Sequence, residues 1–307
     1  MHLAEGTLPL GQALAWCALA APVVAWSVAG ERAARRREPT AGLLSAGATS
    51  LLFAVTLLPL PVPVVGATSH ICLTPVLTLV LGWRRVVWPT CFVLLLQALF
   101  FAHGGITTLG VNTVTLGVFG PLATIALRRL FRPLGIFGIG LACALGGLAV
   151  YVADAVALAL ALHDAVPVAT TFASVLLGFA PVQVPLAVLE GVASAGLIRV
   201  LLARRPDLLP DALRAATPPA YSAGATALLA LLSLQLLTGC DIAGIDGTVF
   251  GATAEAAGRP PSDSLLNWSQ GEVGLAMTIV VLFSLGFVAG RVWEQMLAGR
   301  GRDGPAR

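Results

Sequence analysis

Long apolar runs recur along almost the whole chain, and they leave it few ways to fold. About nine of them are near the ~20 residues that a helix needs to cross a bilayer. Because lipid offers the backbone no hydrogen-bond partners, only helices and closed barrels can span it. The composition agrees, since 57% of the residues are hydrophobic and only 11% are charged. The sequence therefore predicts an all-α integral membrane protein with the lipid bilayer as its surroundings.

The runs predict seven spans in the first two thirds of the chain and two more after them. The third run is short for a full crossing, which favours a tilted or re-entrant segment. We expect a seven-helix bundle over residues 1–205, a cytoplasmic linker over 206–219, and a two-helix hairpin with a long external loop over 220–307. The predicted spans are approximately 11–30, 41–60, 71–83, 86–102, 106–127, 134–161, 169–201, 221–239 and 271–291.

The arginines predict the orientation of the chain. All 18 basic residues are arginines, and every one except Arg259 falls on the cytoplasmic side if the N-terminus lies outside. Basic residues are retained on the cytoplasmic side of membranes. We therefore expect a multi-pass protein of a bacterial or archaeal cytoplasmic membrane, with its N-terminus outside and its C-terminus in the cytoplasm. A net charge of +3 gives no indication of a nucleic-acid partner.

The first two residues, Met1 and His2, form a potential metal chelator. The terminal amine, the His2 backbone nitrogen and the imidazole Nδ1 can surround one ion, a nitrogen set that suits Ni(II) or Cu(II) and can also hold cobalt. One more ligand would complete the plane. The chain has three other histidines, His70, His103 and His163, all on the predicted outer side. The alternative is a frayed terminus without a role.

Three stretches of the sequence resemble a known family. They are MHLAEGTLP at the start, QALFFAHGGITTLGVNTVTLGVFGP at 97–121, and QVPLAVLEGVASAGLIRVL at 183–201. Their order and spacing over residues 1–205 are similar to those of the substrate-binding subunit of cobalt and nickel energy-coupling-factor (ECF) transporters. The resemblance implies a seven-helix membrane domain whose amino terminus inserts into the bundle from outside.

The resemblance also implies the metal ligands, which are Met1, His2 and His70. One departure leaves the choice between Co(II) and Ni(II) open, with a lean to cobalt. Many members have Pro-Thr-Gly-Thr-Gly after the histidine, whereas this chain has residues 71–75, Ile-Cys-Leu-Thr-Pro. Around the ligands we expect supporting residues, and His103 is interpreted as one of these or as structural. The expected set is Glu5, Ser69, Gln97, His103 and Asn112.

The C-terminal third carries a weaker resemblance. GIDGTVFGATAEAAG at 244–258 and SQGEVGLAM at 269–277 are similar to parts of the small two-helix accessory subunit of the same transporters. We therefore interpret the chain as a fusion of the two subunits. Within the spans, Asp154 and Glu190 are candidates for coupling or packing, because ionisable groups at membrane depth are usually functional.

Energy for transport would have to come from partners. The Walker A pattern ends in Gly-Lys-Ser/Thr, and this chain contains no lysine. The prediction is a non-enzymatic subunit without a catalytic cofactor that captures Co(II) or Ni(II) as cargo. The implied partners are a transmembrane scaffold subunit and two ATPase subunits. The alternatives are proton-coupled transport through Asp154 and Glu190 and an intramembrane metalloenzyme, although no H-E-x-x-H pattern is present.

Overall fold

A computed structural model of the chain describes residues 2–38, 40–57, 60–62, 67–215 and 247–262, together with Val280, Ser284 and Arg291. Helices dominate these residues, and a single two-stranded hairpin interrupts them. The predicted C-terminal spans at 221–239 and 271–291 lie outside the described residues, apart from the three isolated positions. The all-α expectation is confirmed for the part of the chain that the structure describes.

Six helical stretches in this part are long and apolar enough to cross a membrane. Each coincides with one of the predicted spans, because a run of about 20 apolar residues has few other stable environments. They are Leu10–Arg37 (α1), Thr40–Leu57 (α2), Trp83–Phe101 (α4), Leu109–Leu130, Arg132–Ala161 and Val168–Arg204 (α8). Leu109–Leu130 consists of α5 (Leu109–Val114), a π-turn (Thr115–Phe119) and α6 (Gly120–Leu130). A 3₁₀ turn, Arg132–Leu134, precedes α7 (Gly135–Ala161).

The third predicted span is a short internal helix. Helix α3 covers only Thr74–Leu81, and all eight of its residues are buried. It starts after Leu73, whose φ is +57°, and ends at Gly82, whose φ is +84°. At about 1.5 Å per residue, α3 is too short to cross a bilayer. Irregular backbone at membrane depth is tolerated when protein surrounds it, and α3 is surrounded by protein. The expected seven spans are therefore six full-length stretches and one buried short helix.

Two short strands precede α3. Strand β1 (Leu60–Val62) pairs antiparallel with β2 (Ala67–Ser69), with Leu60 opposite Ser69. The strand β2 ends at Ser69, so His70 is the first residue beyond the hairpin. His70 is thereby placed between the hairpin and the buried helix α3.

Helices α7 and α8 pack against each other and lie behind the hairpin. Helices α7 and α8 run antiparallel over most of their length, and Tyr151 of α7 and Phe179 of α8 stack at 5.4 Å between ring centres. Phe250 extends this stack at 4.5 Å from Phe179. Phe250 belongs to a π-turn, Gly247–Gly251, that leads into α10 (Ala252–Ala256). After α8, a 3₁₀ turn (Pro206–Leu208) and the helix α9 (Asp211–Ala215) follow.

Candidate metal centre

The segment before α1 folds inward and is held by α5. His2 is 2% exposed and Leu3 is fully buried. The backbone N–H of Leu3 donates to Oδ1 of Asn112 at 2.9 Å, and the Leu3 carbonyl accepts from Nδ2 of Asn112 at 3.1 Å. The hydroxyl of Thr108 donates to the same carbonyl at 2.6 Å. These bonds fix the backbone next to His2, so Asn112 supports the terminal segment as expected.

Glu5 joins this segment to the turn after α4. Its carboxylate accepts hydrogen bonds from the Ile106 N–H at 2.6 Å and from the Thr107 N–H at 3.3 Å, and the Thr107 hydroxyl also donates to it. Gly6 has a φ of +81°, which glycine adopts without strain, and so the chain can turn towards α1. Ser262, from the C-terminal third, donates its N–H to the Glu5 carbonyl at 2.9 Å. The N-terminal segment is therefore enclosed from two sides.

The loop of residues 69–73, called here the His70 loop, is held from α8. The Gln183 side chain donates to the Ser69 hydroxyl at 2.8 Å. Glu190 accepts from the backbone N–H groups of Leu73 at 2.8 Å and Cys72 at 3.3 Å. A buried carboxylate that receives two N–H donors compensates much of its desolvation cost. Glu190 thus ties α8 to the His70 loop.

Three histidine rings meet at the centre of these elements. The ring centres of His2 lie 5.2 Å from His70 and 4.6 Å from His103, and His70 lies 5.4 Å from His103. One nitrogen of each ring lies within 4.8 Å of the others. Imidazole nitrogens at these distances form a set that suits a divalent transition metal.

Several polar atoms inside this cluster have no hydrogen-bond partner in the described part of the chain. Neither ring nitrogen of His2 makes a hydrogen bond of good geometry there, and nor does Oε1 of Gln97, although the Gln97 side chain lies beside the His2 ring. The other end of the Gln97 amide donates to the Thr56 hydroxyl at 2.7 Å, which holds the side chain in place. A buried polar atom without a partner costs about 1–3 kcal/mol, so native proteins rarely keep several together without a reason. A bound ion would satisfy one of the two His2 nitrogens, the one that carries the lone pair.

The surroundings keep all three rings in the form that can bind a metal. Burial lowers the pKa of His2 and of His70 well below their usual value, and it lowers the pKa of His103 to about 3. Neutral imidazole is the form that ligates. Nδ1 of His70 lies 3.2 Å from the Ile71 carbonyl, which can only accept. The proton of His70 therefore sits on Nδ1, and its lone pair is on Nε2.

The structure brings most of the expected site residues together. His2, His70, His103 and Gln97 line the cluster, while Glu5, Asn112 and Ser69 hold the segments that carry the histidines. Met1 lies outside the described residues. His163 lies apart, half exposed, with its Nδ1 at 2.8 Å from the Leu160 carbonyl and its Nε2 at 3.1 Å from Asp164.

Asp154 lies deep in α7 and is fully buried. Neither of its carboxylate oxygens makes a hydrogen bond of good geometry in the described ranges, although the Thr115 side chain lies nearby.

The sequence reasoning missed Thr107 and Thr108. Both lie in the 97–121 stretch, but their contacts with Glu5 and Leu3 span about a hundred positions. No local pattern indicates contacts at that separation.

Taken together, the fold and the cluster define a multi-pass helical membrane protein with histidines gathered at one end. The cobalt uptake substrate-specific transmembrane region (CbiM) family matches residues 2–208, and the chain belongs to this family.

Curated relatives and solved structures agree with this assignment. A cobalt transport protein CbiM of Geobacter sulfurreducens is 36% identical over 319 aligned positions, which cover 98% of this chain and 91% of the relative. A cobalt transport protein CbiM of Sorangium cellulosum is 42% identical over 219 positions, which cover 68% of this chain and 94% of the relative. A crystal structure of a transition metal transporter superimposes with a TM-score of 0.56 at 19% identity and covers 66% of this chain and 93% of that one. The structural match supports the fold.

Proposed function

We propose that this chain captures Co(II) outside the cytoplasm and hands it to an ATP-driven importer of the energy-coupling-factor type. The observation that carries the proposal is the buried His2 ring, whose two nitrogens have no partner in the described residues, beside His70 and His103. A site of neutral imidazole nitrogens suits a transition-metal cargo better than Mg²⁺ or Ca²⁺, which prefer oxygen ligands.

The proposed ligands are the Met1 amine, the His2 backbone nitrogen, Nδ1 of His2 and Nε2 of His70. The bonds from Asn112 and Thr108 to Leu3 support this set, because they fix the backbone on the far side of His2. The amine must lose a proton to bind, and its usual pKa of about 7.7–8.0 makes that easy near neutral pH. The His70 loop supplies the fourth nitrogen with its lone pair already on Nε2.

Cobalt is the proposed cargo, and nickel is the nearest alternative. Relatives from several organisms carry the name cobalt transport protein CbiM, and the matching family is described by cobalt uptake. Nitrogen donors alone do not separate the two ions, because their affinities for such sites are close in the general order. Selection has to come from the geometry of the site.

The lengths of the relatives support the proposed division of the chain. Almost the whole Sorangium protein aligns with 68% of this chain, which supports residues 1–205 as a complete substrate-binding unit. Residues 206–219 would be the linker and 220–307 the accessory hairpin, which the Geobacter relative also covers. A transmembrane scaffold subunit and two ATPase subunits would supply the energy, because a chain without lysine has no Walker A motif.

A change at the N-terminus tests this proposal most directly. The purified chain with its native terminus would be titrated calorimetrically with Co(II), next to a version with three extra residues before Met1. We expect one tightly bound ion per native chain and at least about a 100-fold weaker affinity for the extended chain, since the amine and its chelate ring are lost. Equal affinities would remove Met1 and the His2 backbone nitrogen from the ligand set.

The source of energy is tested separately. Proteoliposomes with this chain alone should accumulate no cobalt against a gradient, with or without a proton gradient. Addition of the scaffold and ATPase subunits with ATP should give accumulation. Proton-driven uptake by the chain alone would replace this scheme with secondary transport, for which the buried Asp154 is the candidate carrier.

A further inference from the structure

His103 brings a third imidazole to the point where His2 and His70 meet. Its Nε2 lies 3.4 Å from Nε2 of His70, and its ring stands nearly perpendicular to that of His2, at 80°. The His70 nitrogen is the one that carries the lone pair, because Nδ1 faces the Ile71 carbonyl. The His103 nitrogen therefore faces the same volume as the proposed fourth ligand of the metal.

The backbone of the turn after α4 determines this position. Ala102 has a φ of +47° and Gly104 has a φ of +80°, and the His103 N–H donates to the Gln97 carbonyl at 3.2 Å. A Cβ on Gly104 would lie 3.3 Å from Cβ of His2, so the turn packs directly on the His2 side chain. A non-glycine residue in the left-handed region is uncommon and costs about 1–2 kcal/mol. The turn thus holds a strained backbone while it presents His103 to the cluster.

The separation between the two Nε2 atoms indicates where an ion could sit. Metal–imidazole bonds are about 2.0–2.1 Å long, so two nitrogens 3.4 Å apart subtend about 110° at a shared ion. Neighbours in a square plane subtend about 90°, which at this bond length places them about 2.9 Å apart. The His70–His103 pair is slightly wider than that, but both nitrogens are still close enough to bind one ion. Because the four proposed nitrogens already fill the plane, His103 suits a ligand outside it.

We propose that His103 is a fifth ligand of the transported ion and that it favours Co(II) over Ni(II). This inference rests on the proposed function, because it assigns one more nitrogen to the same site. Ni(II) and Cu(II) in strong nitrogen fields favour a square plane and gain little from a donor above it. Co(II) accepts an out-of-plane ligand readily. One additional imidazole would therefore give the geometric selection that the four planar nitrogens lack.

His103 is also the most exposed ring of the three, since His2 and His70 are buried and His103 is half-buried. An ion that enters the site would contact His103 before it reaches the enclosed nitrogens. The fifth ligand therefore occupies the open side of the site, where ligand exchange with water occurs first.

The test compares His103→Asn with His163→Asn in the full chain with its native N-terminus. His163 is a matched control, because it is a loop histidine that lies outside the cluster. X-ray absorption at the cobalt edge would count imidazole ligands, and competition titrations would give the Co(II) and Ni(II) affinities. We expect His103→Asn to lose one imidazole from the cobalt spectrum and to bind Co(II) about tenfold or more weakly, with Ni(II) affinity changed less than about threefold.

His163→Asn should match the wild type in both measurements. A cobalt spectrum that is identical in His103→Asn and the wild type, with one ion bound to each, would overturn the fifth ligand and leave the proposed function intact. An equal loss of affinity for the two metals without loss of an imidazole would also overturn it, since His103 would then only support the site. A wild-type chain that binds no Co(II) would overturn the proposed function itself.

Discussion

Two buried polar clusters lie at opposite ends of α1 and α4, and they differ in how well their atoms are paired. At one end, the Glu31 carboxylate accepts hydrogen bonds from Arg35 at 2.8 Å, Ser45 at 2.8 Å and Arg85 at 2.9 Å. Arg85 also donates to the Ala41 carbonyl at 3.0 Å. This cluster joins α1, α2 and α4, and the donors and acceptors of its central carboxylate are matched.

The histidine cluster at the other end is also built largely from buried groups, but several of its polar atoms lack hydrogen-bond partners. The His2 nitrogens and Oε1 of Gln97 have no partner in the described part of the chain. The residues around them are well paired, as the bonds of Glu5, Asn112 and Glu190 show. Unpaired atoms inside a well-paired frame indicate a binding site, whereas a fully paired cluster indicates a structural role.

The largest effect on metal binding is expected for His70→Asn, a change in the histidine cluster. Removal of this proposed metal ligand should weaken Co(II) binding by at least about 100-fold, more than the loss of a supporting residue does. The stability of the metal-free protein should change much less, because His70 lies in a loop, where its side chain contacts the Ile71 carbonyl of that loop and the ring of His103. Calorimetric titration and thermal unfolding in detergent measure the two quantities. Binding at the wild-type affinity would show that the cluster is not the metal site.

The opposite outcome is expected for Glu31→Gln at the other end. Loss of the charge leaves the Arg85 guanidinium without its negative counter-charge, and breaking such a pair costs about 3 kcal/mol. The free energy of unfolding should fall by that amount while the Co(II) affinity of the folded protein stays unchanged. Glu38→Gln is the matched control, because Glu38 ends the same helix and is exposed. A Glu31→Gln variant with wild-type stability and weakened metal binding would reverse the proposed roles of the two clusters.

The spans and the residues of the histidine cluster could be predicted from the sequence, but little of the hydrogen bonding around them could. Predicted spans at 134–161 and 169–201 correspond to Arg132–Ala161 and Val168–Arg204, because the thickness of a bilayer sets the length of an apolar run. The third span was predicted to be short, and α3 is shorter still, because Leu73 and Gly82 take left-handed conformations that the residue pattern did not indicate.

The features that the sequence did not predict depend on contacts between residues that are far apart in the chain. Glu31 was not singled out in the sequence, where it simply precedes a run of arginines, and its partly buried partner Arg85 is 54 positions away. His103 was interpreted as a supporting or structural residue, and only the packing of the turn after α4 on His2 places its ring in the cluster. Such pairings depend on how the helices pack, and one sequence alone does not specify that packing.

The smallest effect on metal binding is expected for a change at Glu190, which connects α8 to the loop that carries His70. Its carboxylate accepts two backbone N–H groups from the His70 loop. In Glu190→Gln, the amide oxygen can accept one of these hydrogens, but the NH₂ group then faces the other, and two donors repel each other. The His70 loop should loosen, and Co(II) should dissociate about tenfold faster, in the range seen when a residue behind a metal ligand is lost. Stopped-flow release of Co(II) to a chelator measures this rate.

Asp154→Asn is the control for the same measurement. Asp154 is also a buried acid within a span, but its oxygens meet no hydrogen-bond partner in the described residues, so it does not clamp the His70 loop. Its substitution should leave Co(II) dissociation unchanged. Equal rates for Glu190→Gln and the wild type would show that the two N–H bonds do not hold His70 in place. If Glu190→Gln alone releases the ion faster, a movement of α8 that withdraws this carboxylate would weaken the site, which gives a physical route from the remote end of α8 to the metal.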